Sequence, residues 1–149
     1  MTHSNFDLTD YVLEEYETLE YILLGDLRDL LEEPPDETTC RWMRQVTGAL
    51  LETLPRESEL KREGGYLAEV LEEYPNWSSQ VSQLQSEKQA IFEKLRQLRD
   101  RLERQAPFGM IAEEIRRDLR DWMTRLQAHH RHERRIVQTA FNLDVGTGD

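Results

Sequence analysis

Six side chains in this sequence have the types and spacing for buried ion or proton chemistry: Tyr16, Glu59, Glu63, Lys88, His129 and Glu133. His129 and Glu133 stand four positions apart, so on a helix they share a face and can ligate one ion or exchange one proton. Glu59 and Glu63 repeat that spacing. Carboxylates in a dry core are costly unless a cation accompanies them. A bound metal ion is one source of that charge. Lys88 is the other, because an ammonium has three donors and no lone pair and can satisfy several carboxylate oxygens without ligating anything.

Placing such groups together needs a scaffold, and the chain spells out an all-α one. Four stretches rich in Leu, Glu, Arg, Lys and Gln are divided by Pro34-Pro35, Pro75-Asn76 and Pro107-Phe108-Gly109, and no stretch has the alternation of a strand. The spacing predicts helices over about 8–31, 38–74, 78–105 and 110–141, with a Gly-rich tail over 142–149. Short connections make each helix antiparallel to the one before it, which closes into an up-down-up-down four-helix bundle over 1–149 as a single domain. Pro55 removes a backbone donor inside the second helix, so a kink is expected near residues 51–55, with a change of apolar phase across it.

Each apolar stripe, written in steps of three and four, contains polar members. The fourth helix reads Ile111, Ile115, Leu119, Trp122, Leu126, His129, Glu133, Ile136, Ala140. The third reads Val81, Leu84, Lys88, Ile91, Leu95, Leu98, Leu102. The first reads Val12, Tyr16, Leu19, Leu23, Leu27, Leu30, and the second, after its kink, reads Leu60, Glu63, Leu67, Val70, Tyr74. Tyr16, Glu63, Lys88, His129 and Glu133 are therefore expected to point inward. Counting from the turns brings them to one layer, with Glu59 one turn before Glu63. His130 and His132 fall off the stripe and are expected in solvent, and the three tryptophans read as packing residues.

Composition excludes several function classes. The 149 residues carry a net charge of −11, which repels phosphate backbones and disfavours nucleic acid as a partner. Arg116-Arg117, Arg131 and Arg134-Arg135 alternate with acidic residues as on a solvated helix face. No run of apolar residues is long enough for a membrane span, and the first residues lack the order of an export signal, so a cytoplasmic protein is expected. The single Cys40 excludes an internal disulfide and an all-cysteine zinc site. No nucleophile constellation or phosphate-cradling glycine loop is present, so no enzymatic activity is expected.

The segments Glu15-Tyr16-Glu17, Glu59-Leu60-Lys61-Arg62-Glu63, Glu87-Lys88 and His129-His130-Arg131-His132-Glu133 together make nearly the whole chain resemble the hemerythrin-like family, also called HHE cation-binding domains. The resemblance implies a four-helix bundle around two irons, or another metal, held by inward His and Glu residues. His129 and Glu133 match that family's fourth helix and Glu63 its second. Tyr16, Glu59 and Lys88 stand where the family pattern has His. With these departures, the resemblance implies a vestigial site of Tyr16, Glu59, Glu63, His129 and Glu133, in which Lys88 replaces the metal as counter-ion. The expected function is that of a non-enzymatic binding or regulatory protein with no cofactor, engaging an unknown protein partner as a monomer or homodimer. The alternative is a protein that binds one iron or other divalent ion, for storage, sensing or oxygen-related chemistry.

Overall fold

The computed structural model describes residues 2–65, 67–104 and 110–147, with side-chain surroundings for 8–65, 67–104, 110–139 and 142. All described elements are helical: α1 (Thr2–Glu32), α2 (Glu37–Glu63), the short α3 (Ala68–Glu73), a 3-10 turn (Pro75–Trp77), α4 (Ser78–Arg104) and α5 (Glu113–Thr147). The four long helices pack against one another, α1 on α2, α2 on α4, α4 on α5, and α5 back on α1. Cross-links give their directions. Glu20 meets His130 and Leu31 meets Arg116, so α1 and α5 run antiparallel. Glu87 meets His129 and Arg101 meets Asp118, which sets α4 antiparallel to α5.

Local chemistry fixes the helix ends. The Asp36 carboxylate accepts from the Thr39 backbone N–H and caps α2. Arg116 and Arg120 both donate to the Leu31 carbonyl, satisfying an otherwise unpaired acceptor in the last turn of α1 and tying it to α5. Arg116 is therefore buried, not part of a solvated face. At the far end of α2, Gly65 adopts φ +77, a left-handed conformation that ends the helix and that an L side chain resists.

The core is continuous. Leu27, Cys40, Met43, Leu50, Leu95, Leu98, Leu102, Leu119 and Trp122 are all essentially sealed from solvent. The Trp122 indole donates to the Ile91 carbonyl at 2.9 Å, which satisfies its only polar atom. Trp42, by contrast, is exposed, and Trp77 is half-buried against Tyr74.

Three expected boundaries move. α2 is helical straight through Pro55 and ends at Gly64-Gly65, so the second helix does not extend to residue 74 and the break lies ten residues beyond the expected one. Buried Leu50, Thr53, Leu54, Glu57 and Leu60 hold one uninterrupted face across the proline, and that packing overrides the lost hydrogen bond. α1 starts at Thr2, with no breaker before Leu8 to stop it. α5 runs to Thr147, through most of the expected tail. One glycine in a helix interior costs only about 1 kcal/mol, too little to end a 35-residue helix. The inward expectation for Ala140 and the breaker at Pro107-Phe108-Gly109 lie outside the described residues. No helix among the described residues is long and apolar enough to cross a membrane.

Candidate functional site

At the level of His129 the core turns ionic. Glu20 from α1, Glu57 from α2, and His129 and Glu133 from α5 are all buried polar residues in an otherwise aliphatic interior. Lys61 of α2 and Lys88 of α4 reach them from the side, with about a fifth of each side chain exposed (20% and 17%).

Glu133 is the hub. Its Oε1 accepts from Lys61 Nζ at 3.3 Å, and its Oε2 lies 3.9 Å from Lys88 Nζ and 3.8 Å from His129 Nε2. Burial alone would push this carboxyl up, but the two ammonium groups hold it below the usual carboxylate range. The Lys61 ammonium is also desolvated, yet Glu133 and Glu57 together hold it above its ordinary value. Lys88 goes the other way. Burial lowers it, and Glu133 only partly offsets the effect at its longer distance.

Glu57 lies on the opposite side of Lys61, with Oε1 3.5 Å from Nζ. Burial, and then repulsion from Glu20, push its carboxyl up to about 7, against the pull of Lys61. The Glu20 side chain beside it adds to the rise. Glu20 Oε1 in turn lies 2.8 Å from His130 Nε2. On the other flank, His129 Nδ1 is 3.2 Å from Glu87 Oε2, which also meets His132 Nδ1 at 3.4 Å. Burial lowers the His129 pKa despite that carboxylate, so the ring is neutral at pH 7. With its Nδ1–H donating to Glu87, its Nε2 carries a lone pair. His132, Glu87, His129, Glu133, Lys61, Glu57, Glu20 and His130 thus form one line of ionisable groups crossing all four long helices. A cavity of about 20 Å³ lies against Glu57, Lys61, Lys88, His129 and Glu133, about the size that takes one water.

The structure gathers three of the six sequence-predicted residues, Lys88, His129 and Glu133, and separates the other three. Glu63 is exposed at the last turn of α2, not in the core. Because α2 keeps its phase through Pro55, the inward carboxylate of this helix is Glu57, six residues earlier. Glu59 pairs with Arg56 at 2.9 Å on the rim, with 46% of its side chain exposed. The Arg56 guanidinium is raised by Glu59 first and by a hydrogen bond with the Tyr16 side chain second, so the half-buried Tyr16 joins this rim group and not the inner cluster. His130 and His132, expected in solvent, are instead half-buried and paired.

Glu20, Glu57 and Lys61 were not singled out by the sequence pattern. An unbroken stripe of Met43, Val46, Leu50, Leu54, Glu57 and Lys61 contains two of them. On α1 the leucine spacing points to Leu19, which is 41% exposed, while its neighbour Glu20 is buried at 8%.

A transition-metal pair of the kind the resemblance implies needs several lone-pair donors converging on each ion. Among the described residues, no group of three or more His, Cys, Asp or Glu is placed to hold a metal ion. Lysine nitrogens face both Glu133 oxygens, so the donor set does not fit such a centre. Comparison with protein-family models, curated proteins and solved structures finds no match for this chain.

Proposed function

We propose that this chain is a non-enzymatic binding or regulatory module built on a hemerythrin-like four-helix scaffold in which ammonium groups stand where relatives of that type hold metal. One observation carries the reading: both oxygens of the buried Glu133 face lysines, Lys61 at 3.3 Å and Lys88 at 3.9 Å. A divalent ion at that point would meet two positive charges at short range, which opposes its binding by direct repulsion. Lys88 acts as counter-ion in this reading, and Lys61 is the stronger of the two. The carboxylates then serve to hold four helices in register around a charged layer.

A second reading, a protein that binds one iron or other divalent ion, draws on a specific feature. His129 Nε2 has no hydrogen-bond partner and stands one helical turn from Glu133, a ligand pair in waiting if both lysines swing outward. Metal analysis separates the two. Protein produced in iron-supplemented cells and dialysed is expected to hold far less than one ion per chain. Retention of close to one ion per chain would overturn the first reading in favour of the second.

A further inference from the structure

A cleft of about 820 Å³ opens beside the charged layer, between the end of α2, the short α3 and the first half of α4. Its charge runs against that of the molecule. The chain carries −11 overall, yet among the described residues three cations, Lys61, Arg62 and Lys88, line this cleft against the single carboxylate of Glu133.

That carboxylate is already engaged. Lys61 takes one oxygen of Glu133 within hydrogen-bond distance, whereas Lys88 Nζ stays 3.9 Å from the other, beyond such a bond. Lys88 therefore keeps donor capacity that the protein does not use. Arg62 is exposed and forms no ion pair among the described residues, and its charge bears on Lys88 repulsively. Lys88 and Arg62 line the same cleft and repel each other, and an anionic ligand there would relieve that repulsion.

The remaining wall decides which anion. Leu67, Leu71 and Val81 supply apolar lining, and serines and glutamines of α4 supply neutral polar lining. A volume of this size lies within the range of small-molecule sites, roughly 300 to 1,000 Å³. A bare inorganic anion would leave the apolar wall unused. We infer that the cleft binds a small amphiphilic carboxylate, its head between Arg62 and Lys88 and its chain along Leu67, Leu71 and Val81. A guanidinium offers two parallel N–H donors to a carboxylate, so Arg62 orients the head and Lys88 neutralises it.

This inference rests on the binding-module reading and supplies its ligand class, but the two fail separately. Metal content tests the first, and the titration below never uses a metal. Sodium octanoate is titrated into the full chain by calorimetry, beside octanamide as the neutral equivalent and inorganic phosphate as the anion without a chain. Octanoate is expected to bind at one per chain, at least about tenfold more tightly than either control. Arg62→Glu is expected to weaken octanoate by at least about tenfold at unchanged Tm, since the side chain is exposed and forms no ion pair among the described residues, while Arg62→Lys, which keeps the charge and loses the paired donors, is expected to weaken it less. Equal binding of octanamide, phosphate binding as tight as octanoate, no effect of Arg62→Glu, or no heat with octanoate would each overturn the proposal.

Discussion

Lys61 Nζ lies 3.3 Å from Glu133 Oε1, closing an ion pair across 72 positions of chain between two helices on opposite corners of the bundle. α2 and α5 make this contact through side chains, so the charged layer spans the interior diagonally. Removing one partner of a buried pair strands the other charge, which typically costs about 3 to 5 kcal/mol. Lys61→Met is expected to fall near the lower end, because the ammonium keeps some water contact. Lys88→Met should cost less, about 1 to 2 kcal/mol, because its separation from Glu133 is 3.9 Å against 3.3 Å for Lys61. Urea denaturation of both variants tests the order. A larger loss for Lys88→Met would move the main counter-ion role to α4.

Glu57 gives the layer a pH dependence. Its carboxyl has an ordinary value of 4.5 and is pushed up to about 7 in the folded chain. A carboxyl raised on folding contributes stability that is fully present below 4.5 and lost as pH rises through about 7. Glu133 and His129 are both lowered, so each contributes stability at higher pH that is lost as pH falls through its folded value. Glu57→Gln removes the first trend alone. At pH 8 the variant should be more stable than the parent by on the order of 2 kcal/mol, and near pH 4.5 the difference should vanish. Equal stability of parent and variant at pH 8 would mean that Glu57 is not desolvated.

How much of this was legible follows from helix phase. The stripes of α4 and α5 are apolar on both sides of their polar members, so Lys88, His129 and Glu133 were placed inward from spacing alone. On α1, Leu19 and Leu23 suggested a face through Leu19. The buried set Glu20, Leu23, Leu27 and Leu31 keeps Leu23 and Leu27 but takes Glu20 and Leu31 in place of Leu19 and Leu30, so the face is turned by part of the roughly 100° step between neighbouring residues. On α2, Pro55 predicts a reset of the phase. Packing of Leu50, Thr53, Leu54 and Leu60 keeps it, so Glu57 and Lys61 took the places assigned to Glu59 and Glu63. A sequence pattern ranks residues by polarity, whereas the fold ranks whole faces, and an ionic layer is where those rankings part.

The proline itself is testable. A helix-interior proline is less favourable than alanine by about 3 kcal/mol, chiefly through the lost N–H bond and the clash one turn back. α2 tolerates this because Thr53 and Leu54 before the proline and Glu57 and Leu60 after it are buried. Pro55→Ala should therefore raise stability by about 1 to 3 kcal/mol in thermal or urea unfolding, less where the structure has already adapted to the ring. A loss of stability would mean that Pro55 itself shapes the path of α2 toward the charged layer.

The strongest check on the counter-ion reading is to remove both ammonium groups at once. Lys61→Ala with Lys88→Ala leaves Glu133 and His129 without ammonium neighbours, the neutral His129 offering a lone pair at Nε2, 3.8 Å from Glu133 Oε2. Carboxylate and imidazole donors suit divalent zinc or iron, and with the repulsion gone the site should take up one such ion. Titration with Zn²⁺ should show affinity higher by at least about tenfold than in the parent, and bound Zn²⁺ should restore part of the stability the double substitution removes. The two readouts separate the causes of any failure. If the variant folds and binds no better than its parent, the lysines are not what opposes metal in this layer, and their role is confined to packing and register. If zinc binds without restoring stability, the ion sits elsewhere than between α2 and α5.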